Sequence, residues 1–261
     1  FQGKEQKARR CPMCTLFHLS ESQLELIKPF FPRSHGAPRV DDRRVASGII
    51  YVIKHGLQWQ DAPDEARNNA VQPLCQVEQA GVFNKIFIEL ANKTPFDGSL
   101  MIAPSIQGSP HGGKPAQKGD SPRLIERTKV GLNSKFHIVC DGHGRPVLLL
   151  LTEGQVSDDK GAAILQHFLP DNSTFLADGG YDATWLLESL KARGMTVCMP
   201  PRKTGNEAFP FDNTLYKQRY LIENTFSRLK DWRRIATRYD RCAHTFFSAI
   251  CLAVTVIFYL N

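Results

Sequence analysis

The stretch from Ala243 to Leu260, AHTFFSAICLAVTVIFYL, carries no charge apart from a titratable one on His244. About 18 residues is the lower limit for crossing a bilayer. No other segment of the chain approaches this hydrophobicity, and this one also holds Thr245, Ser248 and Thr255. A helix apolar nearly all round is expected to lie inside a domain, shielded by other elements. A chain of 261 residues, 42% of them hydrophobic, can build a core that large. We therefore expect a folded chain with a deeply buried C-terminal helix and no membrane span.

Lys and Arg number 33 against 26 Asp and Glu, a formal charge of +7. The excess points to a polyanion, with nucleic acid the first candidate. Seven Cys without regular spacing do not suggest a disulfide scaffold, and a reducing cytoplasm is the expected setting. Cys11 and Cys14 form a single C-x-x-C, which supplies two of zinc's usual four ligands. They fall in residues 1–17, which read as a flexible arm, with Phe1-Gln2-Gly3 set aside from fold reasoning.

Residues 18–94 read as helices. Ser20 is placed to cap the first, with Gln23 at the capping-box position, and Pro32 stops it. Asp41-Asp42 opens a second helix that ends before Gly56. Further helices are expected over Val71–Ala80 and Val82–Ala91. Short helices with basic turns suit a helix-turn-helix-like DNA-binding module, or equally a plain helical subdomain. From residue 98 to 261 the pattern becomes that of an α/β domain with a mixed sheet. Its first strand is the short run Ser99–Ile102. Asp141-Gly142 joins two strand-like runs as a hairpin, and strands then alternate with helices. Residues 103–134, rich in Gly, Pro, Lys and Arg, read as a basic loop, and Leu215–Trp232 as one long helix.

Two signals carry chemistry. On a wheel of the segment YKQRYLIENTFSRLKDW, Tyr216, Arg219, Glu223 and Lys230 fall within about 60° of each other. A carboxylate between two cations suits a divalent-metal ligand, with Arg and Lys free to meet phosphate. The same spacing suits a solvated helix laced with i,i+4 ion pairs. Asp178 follows the apolar run Thr174–Ala177 and precedes Gly179-Gly180. A carboxylate at a strand end, with glycines freeing the backbone beside it, is well placed for metal or phosphate chemistry, and is also an ordinary turn residue.

These residues resemble bacterial insertion-sequence transposases of the DDE class, in the insertion-sequence-five group. Tyr216-x2-Arg219-x3-Glu223-x6-Lys230 matches the class's signature around its catalytic Glu. Lys230–Ala253, Glu126–Val147, Leu176–Ala183 and Gly36–Pro63 resemble other parts of the group. The resemblance implies an RNase H-like catalytic domain preceded by an all-helical DNA-binding domain. It implies strand cleavage and transfer with Mg2+ or Mn2+, double-stranded DNA at terminal inverted repeats, and a homo-oligomer assembled on it in the bacterial cytoplasm with the nucleoid. Asp178 matches the second catalytic and metal-binding carboxylate and Glu223 the third. Arg39, Arg43, Arg44, Arg219, Lys230, Arg233 and Arg234 are the expected DNA contacts.

The chain departs from the family at the first carboxylate. Met101-Ile102-Ala103-Pro104-Ser105 puts Ala103 where the Asp belongs, and a methyl group cannot ligate a metal. Gly179 stands where the group usually has Arg, and Val71–Val77 replaces an aromatic- and Arg-containing stretch. The expectation is a transposase homologue impaired in catalysis. The alternative is a non-enzymatic DNA-binding protein derived from one, and a third reading is a nuclease using Asp178, Glu223 and another ligand.

Overall fold

The structure, a computed structural model, describes residues 19–31, 41–61, 81–110, 123–200 and 212–260. The expected helix over Val71–Ala80, Arg39 and the Cys11/Cys14 pair lie outside these residues. Among the described residues three α-helices come first: α1 (Glu21–Ile27), α2 (Asp42–His55) and α3 (Val82–Lys93). Ser20 and Gln23 close the capping box on α1. Asp41 accepts from the Arg43 and Arg44 amides at the start of α2. Gly56 ends α2 with φ +67. A Cβ there would also stand 2.8 Å from the Arg233 Cβ, so two requirements meet on one glycine.

Six strands form one mixed sheet: β1 (Ser99–Gly108), β2 (Glu126–Thr128), β3 (Gly131–Asp141), β4 (Pro146–Glu153), β5 (Thr174–Leu176) and β6 (Thr196–Cys198). β1, β3 and β4 are an antiparallel meander, and β5 and β6 continue the sheet parallel to β1. The hairpin turn is held by Asp141, whose carboxylate accepts from the amides of His143 (3.0 Å) and Arg145 (2.9 Å) and from Arg145 Nε (2.7 Å). Strand β1 runs to Gly108, so the segment expected as loop from residue 103 begins as strand. Proline 104 is tolerated because β5 pairs β1 only over Ser99–Met101, leaving β1 an edge on that side.

The remaining helices are α4 (Asp158–Leu165), α5 (Thr184–Ala192), α6 (Asn213–Lys217), α7 (Tyr220–Lys230), α8 (Arg233–Ala236) and α9 (Ala243–Phe258). The long helix expected over Leu215–Trp232 is broken at Gln218–Arg219. There the amides of Gln218, Arg219, Leu221 and Ile222 each bond three residues back, the tighter 3-10 pattern. A wheel drawn at constant pitch therefore does not hold across the break.

Side chains alternate along β1 between two cores. Leu100 and Ile102 pack with α4 and α5, whereas Met101 and Ala103 pack with α7, α9 and the N-terminal helices. Helix α9 is buried along most of its length, with Phe246, Ile250, Cys251, Ala253 and Val254 fully enclosed. No helix of the described residues is long and apolar enough to cross a membrane. α3 lies along α9, and the Gln23 side chain donates to the Leu260 carbonyl, so the N-terminal helices share one core with the C-terminal helix.

Candidate active site beside β1 and the carboxyl end of β5

Strands β1 and β5 run parallel, with Met101 opposite Leu176 as the last paired position. Ala103 and Asp178 each stand two residues beyond that last pair in the strand direction. Ala103 is buried in the same core as Ile222, Phe226 and Leu229 of α7. Asp178 follows the strand in extended backbone, and its Oδ1 accepts from the Gly180 amide at 2.8 Å. Arg219, at the entry to α7, brings its guanidinium to 3.5 Å from Asp178 Oδ2. It also donates to the Tyr216 hydroxyl at 3.1 Å. Helix α7 itself is fixed by Thr225, which donates to the Gly144 carbonyl at 2.6 Å.

Asp178 and Arg219 are thus brought into contact. Glu223 lies one helical turn beyond Arg219 on α7, and its side chain is exposed. Asp97 and Asp141, the other carboxylates flanking β1, are committed to turns: Asp97 Oδ1 accepts from the amides of Ser99 and Gly142.

A carboxylate that the sequence reading missed completes the picture. Asp158, the first residue of α4, reaches the same place from the other side of the sheet. A Cβ built on Gly180 would stand 2.8 Å from Asp178 Oδ1 and 3.1 Å from Asp158 Oδ2. Lys135 from β3 meets Asp158 Oδ1 at 2.8 Å. Tyr181, three residues after Asp178, is fully buried and its hydroxyl has no hydrogen-bond partner. Burial, reinforced by the negative charges of Asp158 and Asp178, pushes its phenol well above the usual range. His137 lies against Gly161 of α4 and is pushed down to about 4 by burial, so it is neutral at pH 7. The one sequence signal for Asp158 was an acidic pair, Asp158-Asp159, at a helix start, where acidic residues are common.

Two-metal chemistry requires several acidic ligands around a pair of cations. Ala103 offers none, and Asp178 is already paired with Arg219. Among the described residues no group of three or more His, Cys, Asp or Glu could hold a metal ion. With Ala103 in the first position, Asp178 and Glu223 alone do not make up the acidic ligands of a two-metal centre.

The basic residues separate into two kinds. Lys230 and Arg233 are exposed at the end of α7 and the start of α8. Arg44 is largely exposed and lies 3.4 Å from Asp41, while Arg43 donates to the Leu19 carbonyl and lies near Glu21. Arg234 corrects the sequence reading. It is buried, forked onto Asp240 at 2.6 and 3.0 Å, and donates to the Leu57 carbonyl, so it holds the fold rather than meeting phosphate. Arg238, in the same basic segment, is fully buried and donates to the carbonyls of Leu124 and Asp240.

Comparison with known proteins decides the family. Residues 106–257 match the family "Transposase DDE domain", more than half of the chain. The chain belongs to the DDE transposases. Residues 19–87 match a second family, "Putative transposase of IS4/5 family". A relative from Brucella ovis, "Putative transposase for insertion sequence element IS6501", is 32% identical over 130 residues, 48% of this chain and 98% of the relative. A relative from Burkholderia cepacia, "Putative transposase for insertion sequence element IS402", is 29% identical over 133 residues, 47% of this chain and 60% of the relative. Among solved structures, the piggyBac transposase synaptic complex with hairpin DNA has a TM-score of 0.51 at 9% identity. That similarity covers 92% of this chain and 72% of the other. The DDE transposase has the expected RNase H-like α/β domain with a helical region before it, and its family function is DNA transposition.

Proposed function

We propose that this transposase binds duplex DNA at the terminal inverted repeats of an insertion sequence, as a homo-oligomer, and is impaired in metal-dependent strand cleavage. Residues 18–94 serve as the DNA-binding region and residues 98–261 as the catalytic scaffold. The observation that carries the reading is Ala103, which stands two residues past the last β1–β5 pair, as Asp178 does, and is unable to offer an oxygen. Exposed Lys230 and Arg233 beside α7 support a phosphate-facing surface there, with Arg43 and Arg44 at the start of α2 as a second one. Such binding would keep the protein with the nucleoid.

In this reading the chain's own groups bind and position. Arg219 is drawn from Asp178 towards a phosphate, Lys230 holds a second one, and helix α7, which carries both, sets the distance between them. Mg2+ or Mn2+ is the class of cation that oxygen donors of this kind take, with cleavage chemistry as its contribution. The test is a mobility shift on a duplex carrying the terminal repeats, with nicking read in the same tubes. Retarded, intact DNA in Mg2+ is the expected result. Absence of any retardation at low salt would overturn the binding reading.

A further inference from the structure

We propose that the open edge of β4 is the surface on which a second copy of this chain docks, by antiparallel β4–β4 pairing about a two-fold axis. β4 pairs with β3 on one side, and among the described residues no strand pairs with its other side. β2 takes over the same edge of β3 past Glu153, so the open length is that of β4 itself. Strand edges are normally blunted by charges, prolines or bulges, because their unpaired amides and carbonyls template another strand. Here those devices stand only at the start: Pro146, the irregularity at Val139–Cys140, and the Tyr259 hydroxyl donating to the Pro146 carbonyl. From Leu148 to Leu151 the edge is four leucines without a charge. Leu148 and Leu150 pack towards one core and Leu149 towards the other, yet all three are only partly buried.

The two ends of the strand point to the occupant. A two-fold axis normal to the sheet pairs a strand with itself antiparallel and keeps each side chain on its own face. With Leu150 opposite its own copy, Leu149 meets the partner's Leu151 and Leu148 meets the partner's Thr152. Glu153 then lies diagonally across from the partner's Arg145, within reach of a long side chain, and Arg145 stands likewise to the partner's Glu153. Asp141 holds Arg145 at that end through its Nε at 2.7 Å. The apolar centre thus meets an apolar centre, and the acidic end meets a basic one. Ile164 of α4, the helix packed against β4 on one face, is exposed, as is Phe168 just after it. Phe168 lines a cleft of about 220 Å3 together with Val147 and Leu148. Pairing at the edge brings the partner beside this apolar border, which a single copy leaves in water.

The inference rests on the homo-oligomer of the proposed function and gives it an interface, but it is read without DNA, so either can fail alone. The experiment measures the mass of the full chain by sedimentation equilibrium across the micromolar range, with amide exchange followed at both extremes of concentration. A reversible dimer is expected, with exchange across residues 148–152 slower in the dimer. Glu153→Arg sets like charges together, and Leu150→Lys sets two lysines opposite each other at the axis. Each change occurs twice in a symmetric contact, so each should weaken the dimer by at least about tenfold. If Leu150→Lys does not fold, Glu153→Arg and the exchange pattern decide. A parent chain that stays monomeric overturns the proposal. So does a dimer whose slowed amides lie outside β4, or one that Glu153→Arg leaves as tight as the parent. A monomer that still retards the terminal-repeat duplex refutes this interface alone, and a β4-protected dimer that does not retard it refutes the DNA-binding reading alone.

Discussion

Arg233 and Arg234 are adjacent, equally charged, and opposite in role. Arg233 is exposed, while Arg234 is enclosed with its guanidinium forked onto Asp240 and its Cζ 5.2 Å from the centre of the Trp59 ring. Breaking a buried ion pair strands the partner charge, so Arg234→Ala should lower unfolding free energy by about 3–5 kcal/mol in urea denaturation. Arg233→Ala should change it by less than about 0.5 kcal/mol. Spacing could not tell the two apart, because the contacts that bury Arg234 come from Leu57 and Trp59, far away in sequence. His137 gives a second test at this scale. The unfolded chain takes up its proton near pH 6.5 and the folded chain only near 4. The unfolded state thus binds more protons between those values, so the contribution of His137 is complete above pH 6.5 and is lost as pH falls towards 4. The slope is at most about 1.4 kcal/mol per pH unit. Stability measured from pH 7 to 4.5 should fall less steeply in His137→Asn than in the parent.

Elements whose limits are set locally were legible. The capping box of Ser20 and Gln23, the glycine end of α2 and the Asp-Gly hairpin each depend on a few neighbouring residues, and each stands as expected. Elements whose limits depend on distant partners were not. β1 passes through Pro104 only because β5 has already stopped, and the break at Gln218–Arg219 leaves the apolar spacing of α7 intact. In the candidate site the position of Asp178 at a strand end was readable. Asp158 was not, since only the order of the strands brings α4 to the same end of the sheet. Gly56 offers a test at this scale, because its positive φ and its closeness to Arg233 tie α2 to α8. Gly56→Ala should cost more than about 1 kcal/mol, read as a lower denaturation midpoint at unchanged slope.

Across the whole molecule the N-terminal helices and the catalytic scaffold share the core around α9, so a surface on α2 and one on α7–α8 are held in fixed relation. With Arg234 and Arg238 buried, the exposed cations between residues 228 and 241 include Lys230, Arg233 and Arg241, with Arg228 tied to the Ile257 carbonyl. Each phosphate contact should contribute about 0.9 to the fall of log K per decade of salt, so Arg233→Gln should reduce the slope by about one unit. Arg234→Gln should leave the slope of whatever protein still folds unchanged. In the proposed function Ala103 separates DNA binding from cleavage. The direct measurement is the initial rate of Mg2+-dependent nicking of a terminal-repeat duplex by the parent chain, Ala103→Asp and Ala103→Asn, at protein concentrations that saturate binding. Bound, intact DNA is expected with the parent and with Ala103→Asn, and nicking with Ala103→Asp. Nicking by the parent as fast as by Ala103→Asp would contradict it.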